Sequence, residues 1–447
     1  MERIKELILY REEEETLLNR IADLILDLRN LEAENAVMEE EEAIAQAWVY
    51  EENQIRDGYF GCMQELIEVG ESHGFSGNLW HCYLTYLLVY HENAFSKACE
   101  IRGAVEGGIN RIARHDFQIF MELFAFDFEE IEEKLQVSVY PMIADYPNSS
   151  GERKIFNRRI RDRICGLSVK LAQAAGPEAF QIEMEQFYKE FGVGKFGLHK
   201  AFRVCHQEER VEIVPITNIA HVYLEDLVGY EIPKQKLIDN TEAFVCGRRA
   251  NNCLLFGDAG TGKSSSIKGI LNRYYDRGLR IIEVYKHQFQ DLNEVIAQIK
   301  NRNYKFIIYM DDLSFEDFEI EYKYLKAVIE GGLEKKPENI LIYATSNRRH
   351  LIRENFSDKE EIRQDMHTSD TVQEKLSLVS RFGVSIYFEA PDKKGFQNIV
   401  KELARRHGVT MPEEELLLAA NQWELSHGGL SGRTAQQFID YLLGKPE

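Results

Sequence analysis

The feature that most constrains the fold is a glycine-rich string at Gly257–Ser264, which reads GDAGTGKS. It fits the pattern GxxxxGK[ST], and it lies between a short apolar segment, 253–256, and a segment of helical composition, 264–275. In that context the backbone N–H groups of the loop surround phosphate oxygens, and the dipole of the following helix favours their negative charge. The string therefore predicts a strand, a phosphate-binding loop and a helix, in that order.

Each position of the loop has an expected role in holding a nucleotide. Lys263 is expected to neutralise the β and γ phosphates, and the Ser264 hydroxyl to complete the coordination of Mg²⁺. We also expect Lys263 to lie in a solvated loop, so that replacing it with alanine leaves the core intact. The candidate nucleotide-binding residues are Gly257, Asp258, Ala259, Gly260, Thr261, Gly262, Lys263, Ser264 and Ser265.

A second candidate site element is the segment 306–312, which reads FIIYMDD. A carboxylate at the C-terminal end of a sheet strand beside a phosphate loop is placed to hold Mg²⁺ through water. Asp311 takes that role, and Asp312 lies where a general base would polarise the attacking water. Acidic residues also end strands as helix caps, but the position of this pair after a phosphate loop favours the metal site.

Apolar segments and helical stretches alternate through the second half of the chain. Because each apolar segment is separated from the next by enough residues for a helix, the pattern predicts a parallel sheet with helices on both faces. After Pro391 the pattern becomes wholly helical, with three segments near 392–407, 412–424 and 430–443. The predicted strands are 211–216, 253–256, 280–285, 306–310, 340–345 and 384–389.

The first half of the chain is helix-rich and aromatic-rich. Leu17, Ile21, Leu24 and Leu28 recur at helical spacing and predict a helix face packed on its own domain; a coiled-coil face is the alternative. The segment 153–163 is a basic amphipathic helix candidate. We favour a solvated face against an acidic partner surface over a nucleic-acid contact.

Charge and composition limit the functions that the chain can have. The net charge of −21 disfavours a globally steered encounter with DNA or RNA, because phosphates repel such a surface. No apolar run approaches the roughly 20 residues of a membrane span, and the N-terminus lacks the layout of a signal peptide, so we expect a cytoplasmic protein. Seven scattered cysteines predict reduced thiols and no structural zinc site.

Residues 227–443 resemble an AAA+ ATPase module: a phosphate loop, an acidic strand end, a polar sensor after the next strand, an arginine before the fifth strand, and a helical lid. The resemblance implies that Asn347 is the sensor, Arg433 the lid arginine, and Arg381 a finger that acts on a neighbouring subunit. It also implies that the turn with Leu227 and Val228 contacts adenine.

Each of these roles has an alternative. Asn347 could cap a helix, Arg433 could lie on the lid surface, and the turn could be core. The residues that compete with Arg381 are Arg348, Arg349 and Arg353.

The whole chain is similar to an uncharacterised bacterial family of AAA+ ATP-binding proteins with a helical N-terminal half. The motifs that carry this second resemblance are LEDLVGYE, FGDAGTGKSSSIK, DDLSFE, ATSNRRHL, EKLSLVSRFG and LSGRTAQQF. The resemblance implies three parts: a helical N-terminal domain (1–205), an AAA+ α/β domain (206–390) and a helical lid (391–447).

The resemblance implies a nucleotide but no substrate. Our leading hypothesis is Mg²⁺-dependent ATP hydrolysis that remodels or switches a partner, expected to be a protein bound by the N-terminal domain. A ring or helical homo-oligomer would supply the arginine finger in trans. The alternatives are a DNA-transaction ATPase of loader or initiator type, and an ATP-binding switch with little turnover. The switch with little turnover is an alternative because Asp312 replaces the usual glutamate. Glu316 could also activate the attacking water.

Overall fold

The computed structural model describes residues 1–13, 15–35, 42–103, 106–147, 158–207, 210–217, 219, 222–315, 321–330, 336–347 and 378–444. The chain divides into two compact units, Met1–Leu198 and His199–Glu447. This division falls slightly before the predicted boundary at residue 205. The three-part division into 1–205, 206–390 and 391–447 stays a prediction.

The Met1–Leu198 unit is built from helices around one apolar core. The predicted stripe of Leu17, Ile21, Leu24 and Leu28 is buried in that core, which confirms a helix face packed on its own unit. The helices are α1 (Leu17–Asn35), α2 (Glu42–His73), α3 (Leu79–Tyr90), α4 (Ala94–Arg102), α5 (Gly108–Phe124), α6 (Glu129–Leu135), α7 (Tyr140–Ala144), α8 (Arg158–Ala172), α9 (Pro177–Phe191) and α10 (Gly194–Leu198).

The His199–Glu447 unit contains a seven-stranded sheet in the order β2-β1-β4-β5-β6-β3-β7. All neighbouring strands are parallel except β1 and β2, which pair antiparallel. The strands are β1 (Ala201–Gln207), β2 (Arg210–Pro215), β3 (Cys253–Gly257), β4 (Leu279–Glu283), β5 (Lys305–Met310), β6 (Ile340–Ser346) and β7 (Val384–Phe388).

Strand β1 corrects the prediction from the sequence, which placed residues up to 205 in the helical N-terminal domain and predicted no strand there. Phe202 and Val204 are buried while Arg203 between them is exposed, so the segment has the alternation of a strand at the side of a sheet. It pairs with β2 on one side and with β4 on the other. The sheet is therefore mixed at this end and parallel elsewhere.

The parallel strands are buried because helices cover the sheet. All seven residues of β6 are buried, as expected for a central parallel strand. Since parallel strands end at the same edge, the carboxyl ends of β3, β5 and β6 meet there. The helices between strands are α11 (Glu231–Val245), α12 (Lys263–Tyr274), α13 (Leu292–Ile299) and α14 (Glu321–Glu330).

Three helices follow β7, as predicted: α15 (Lys393–Arg406), α16 (Glu413–Ser426) and α17 (Gly432–Leu443). They have an apolar core of their own, in which Phe396, Val400, Ala420 and Phe438 are buried. The predicted α/β module with a phosphate loop and a C-terminal helical lid, after a helical N-terminal region, is confirmed. Across the described part of the chain, no helix combines the length and the apolar character that a membrane crossing requires.

Candidate nucleotide-binding site

A cavity of about 640 Å³ lies among the phosphate loop, the carboxyl ends of β5 and β6, and the lid helices α15 and α17. Most of the residues predicted from the sequence line this one cavity. They are Leu227, Val228, Ala259, Gly260, Thr261, Gly262, Lys263, Ser264, Ser265, Asp311, Asp312, Asn347 and Arg433. Gly257, Asp258 and Arg381 are not among the lining residues.

The shape of the loop depends on its first glycine and on contacts with β7. Gly257 has φ of 135°, and a Cβ atom there would overlap the carbonyl oxygen of Phe388. Only glycine fits both the backbone angle and this close approach. Asp258 then accepts a hydrogen bond from the Ala390 N–H at 2.9 Å through its Oδ2. Both residues thus shape the loop and anchor it beside the cavity.

Lys263 is held inside the loop. Its side-chain nitrogen donates to the carbonyl oxygens of Gly257 (2.9 Å) and Asp258 (2.6 Å), and the residue is only 6% exposed. The expectation that it lies in a solvated loop was wrong, because those carbonyls fold around the ammonium group. Burial lowers the pKa of Lys263, although Asp258, Asp312 and Asp311 oppose that effect.

The two strand-end carboxylates lie beside the start of α12. The Ser264 hydroxyl donates to Asp311 Oδ1 at 2.7 Å, so the two predicted Mg²⁺ ligands are in direct contact. Burial alone would raise the pKa of Asp311, but hydrogen bonds from Thr345, Tyr309 and Ser264 outweigh it and lower the pKa. This carboxylate is therefore kept ionised.

Asp312 lies in a left-handed turn with φ of 49°. Asn347 donates from Nδ2 to Asp312 Oδ1 at 2.7 Å. The structure thus brings the predicted general base and the predicted sensor together. The alternative role for Asn347, capping a following helix, concerns residues after 347 that lie outside the described residues.

The lid closes over the loop through the start of α17. The Arg433 backbone N–H donates to the carbonyl oxygen of Gly260 at 3.2 Å, while the Ser431 side chain caps the helix by accepting from the Thr434 N–H. A Cβ atom at Gly260 would lie 2.9 Å from Ser431 Oγ, so glycine is needed for this approach. The geometry places Arg433 on the cavity wall.

The other end of the cavity is lined by the turn that precedes α11. Leu227 and Val228 are there, and Tyr230 lies beside them with φ of 59°. The Tyr230 hydroxyl is buried and has no hydrogen-bond partner among the described residues. Burial raises its pKa to about 12, so it is neutral at physiological pH.

Two basic residues that sequence reasoning missed hold this turn. Lys234 donates to the carbonyl oxygen of Leu227 at 2.7 Å and to that of Leu224 at 3.5 Å. Arg406, from the lid helix α15, donates to the carbonyl oxygens of Glu225 and Asp226, each at 3.0 Å. Their only sequence signal is a basic residue in a helix, which is too common to point to such a contact.

The predicted arginine finger lies elsewhere in this unit. Arg381 forms an ion pair with Glu330 at the end of α14 and does not line the cavity of its own chain. Its competitors Arg348, Arg349 and Arg353 lie outside the described residues, as does Glu316. Of the basic segment 153–163, the structure describes only the part from residue 158 onward, at the start of α8.

The solved structures to which the chain is similar include three substituted forms of RuvB from Thermotoga maritima. Their sequence identities are 16%, 16% and 14%, with TM-scores of 0.35, 0.33 and 0.32. Each match covers 49% of this chain and 64%, 63% and 72% of the respective RuvB chain. The chain thus spans less than two thirds of the first two RuvB chains, and a likeness this distant says nothing about activity.

A search of the curated proteins finds no significant match. The family model described as "Protein of unknown function (DUF815)" matches residues 197–446, which is more than half of the chain and includes every residue of the cavity. The chain therefore belongs to the DUF815 family.

Proposed function

We propose that the His199–Glu447 unit binds ATP with Mg²⁺ and hydrolyses the bond between its β and γ phosphates. One observation carries this proposal: a phosphate loop, two strand-end carboxylates, a polar sensor side chain and a lid arginine all line one cavity. Each group matches a need of phosphoryl transfer, which depends on positioning and on electrostatic stabilisation.

The residues fit the two groups that they would hold. Backbone N–H groups of the loop and Lys263 suit the phosphates, and the unpaired Tyr230 hydroxyl suits the base. Oxygen atoms of Ser264 and Asp311 are the ligands that Mg²⁺ prefers. Bound Mg²⁺ would neutralise charge on the β and γ phosphates.

Asp312 is the proposed general base, which takes a proton from the attacking water. Asn347 holds its carboxylate at 2.7 Å and so limits its rotation. Arg433 would stabilise negative charge from the lid side. If Asp312 is too short to activate water, the protein is an ATP-binding switch with little turnover, or Glu316 supplies the base.

Assembly is part of the same proposal. Since Arg381 does not line its own cavity, it would act on a neighbouring subunit, in a ring or a helical homo-oligomer. The Met1–Leu198 unit would recognise a protein that the ATP cycle remodels or switches, in the cytoplasm. A DNA loader or initiator is the alternative, and the net charge of −21 disfavours it.

Equilibrium binding tests the nucleotide site. Lys263→Ala should weaken Mg²⁺-ATP binding at least about tenfold, because a hydrogen bond to a charged group contributes roughly 1.5–3 kcal/mol. Lys268→Ala is the matched control, since Lys268 is exposed on the same helix. Titration calorimetry on both variants, with melting curves to verify folding, gives the comparison. Equal ATP affinity for Lys263→Ala and Lys268→Ala would contradict the proposed site.

A further inference from the structure

One oxygen atom of Asp311 accepts hydrogen bonds from three hydroxyl groups. Ser264 Oγ lies 2.7 Å from Asp311 Oδ1, Tyr309 Oη lies 2.7 Å from it, and Thr345 Oγ1 lies 2.5 Å from it. Tyr309 is 5% exposed and Thr345 is 1% exposed, so both hydroxyls approach from inside the sheet. We call Tyr309 and Thr345 the hydroxyl pair.

The register of the sheet explains why the hydroxyl pair meets this carboxylate. Asp311 directly follows β5, two residues after Tyr309, and side chains two apart lie on the same face of an extended chain. On the neighbouring strand Met310 pairs with Ala344, so Thr345 lies next to Asp311. Both contacts are therefore built into the parallel pairing of β5 and β6.

Thr345 also holds the turn that follows β5. Its hydroxyl oxygen accepts the Asp312 N–H at 3.0 Å, and its carbonyl oxygen accepts the Leu313 N–H at 2.7 Å. The same threonine thus contacts the side chain of Asp311 and the backbone of Asp312. A change at Thr345 affects both carboxylates at once.

The hydroxyl pair differs from Ser264 in what happens when nucleotide binds. In the proposed function the Ser264 hydroxyl becomes a ligand of Mg²⁺, so Asp311 is no longer its only partner. The hydroxyl pair belongs to buried residues and takes no part in that coordination, so its bonds to the carboxylate need not break when Mg²⁺ binds. These bonds therefore limit rotation of Asp311 in the proposed loaded site as well.

We propose that Tyr309 and Thr345 are positioning residues that hold Asp311 in the orientation that binds hydrated Mg²⁺, and so set the Mg²⁺ affinity of the nucleotide site. This inference rests on the proposed function. It concerns metal affinity and not the chemical step, because both hydroxyls bond to Asp311. Thr345 does line the cavity, but its hydroxyl is already engaged by Asp311 and by the Asp312 N–H.

The test measures how binding of a fluorescent ATP analogue depends on Mg²⁺ concentration. Tyr309→Phe should raise the Mg²⁺ concentration for half-saturation by about 3- to 10-fold, as expected from losing one hydrogen bond of roughly 0.5–1.5 kcal/mol. Binding of the analogue in EDTA should stay within about twofold of wild type, since no phosphate contact changes.

Tyr343→Phe is the matched control for lost stability. Tyr343 is also a buried strand tyrosine, and its hydroxyl contacts Asn240 and Thr241, each at 2.9 Å, away from the carboxylates. Tyr343→Phe should lower the melting temperature without changing the Mg²⁺ concentration that gives half-saturation. A merely structural role for Tyr309 would make the two variants behave alike and would overturn the inference.

The threonine gives a second, independent comparison. Thr345→Val keeps the shape of the side chain but removes its hydroxyl, so it should also raise the Mg²⁺ concentration for half-saturation. Thr345→Ser keeps the hydroxyl and should give the wild-type value. If Thr345→Val does not fold, the Mg²⁺ dependence of Tyr309→Phe still tests the inference. Wild-type Mg²⁺ dependence in every folded variant overturns this inference and leaves the proposed function standing. A wild-type protein that binds no nucleotide overturns both.

Discussion

Asp312 shows how a single backbone angle bears on the choice of residue. Its φ of 49° lies in the left-handed region, which costs most L-residues roughly 1–2 kcal/mol and which aspartate and asparagine adopt more readily. Glutamate adopts this angle less readily. The left-handed turn therefore favours aspartate at position 312, a preference that the sequence alone could not show.

Tyr230→Phe tests the end of the cavity that would hold the base of ATP, which is lined by Leu227, Val228 and Tyr230. Its hydroxyl is buried without a partner among the described residues, so a bound purine would gain a hydrogen bond that Tyr230→Phe removes. We expect ATP binding to weaken about 3- to 10-fold, in line with roughly 0.5–1.5 kcal/mol for one hydrogen bond.

The control for this variant is Tyr387→Phe, since Tyr387 is 49% exposed on β7 and does not line the cavity. Calorimetric titration with ATP and with GTP measures both variants. Unchanged ATP affinity in Tyr230→Phe would show that the hydroxyl does not contact the base.

At the scale of elements, the sequence predicted most of the sheet and all of the lid. Continuous apolar segments such as 306–310 and 340–345 identify buried parallel strands without tertiary information. Strand β1 was missed because Arg203 and His206 interrupt its apolar residues, and because its pairing with β4 depends on residues about 80 positions away in the sequence. Contacts of long sequence separation leave no periodic signal.

The lid helix α15 also makes a contact between residues that are far apart in the sequence. Arg406 donates to the carbonyl oxygens of Glu225 and Asp226, in the turn that leads to the base end of the cavity. Arg406→Gln should release the lid from this turn and weaken ATP binding about 3- to 10-fold, because hydrogen bonds from charged groups are lost and solvent screening reduces their contribution.

Its neighbour Arg405 is the matched control. Arg405 also bonds to Glu402, at 2.7 and 2.9 Å, but within the described part of the chain it makes no hydrogen bond to the turn. Titration of ATP into Arg405→Gln should give the wild-type affinity. If both arginine variants bind ATP equally well, α15 does not position the turn.

At the scale of the whole molecule, the sequence predicted which residues converge but not how they are held. The cavity gathers thirteen of the residues predicted for the site. The hydroxyl pair, Lys234 and Arg406 were missed, since tyrosine, threonine and single basic residues are common in any fold. The ion pair of Arg381 with Glu330 was missed for the same reason.

The proposed assembly follows from the place of Arg381. If the finger acts in trans, Arg381→Ala should bind ATP normally yet hydrolyse it slowly. Mixing it with Lys263→Ala should restore part of the activity, because each mixed pair joins an intact nucleotide site to an intact finger. Glu330→Gln, which frees the arginine from its ion pair without removing it, is the control and should retain turnover.

The central claim is that this cavity hydrolyses ATP, and steady-state phosphate release across a range of protein concentrations tests it most directly. Wild-type protein should release phosphate at a rate per chain that rises with concentration. Asp312→Asn should be at least about tenfold slower, since a general base typically contributes about 10²–10⁴-fold. Loss of turnover in Glu316→Gln but not in Asp312→Asn would move the base to Glu316. Phosphate release by the wild type no faster than by Asp312→Asn and Glu316→Gln, at every concentration, would contradict the account.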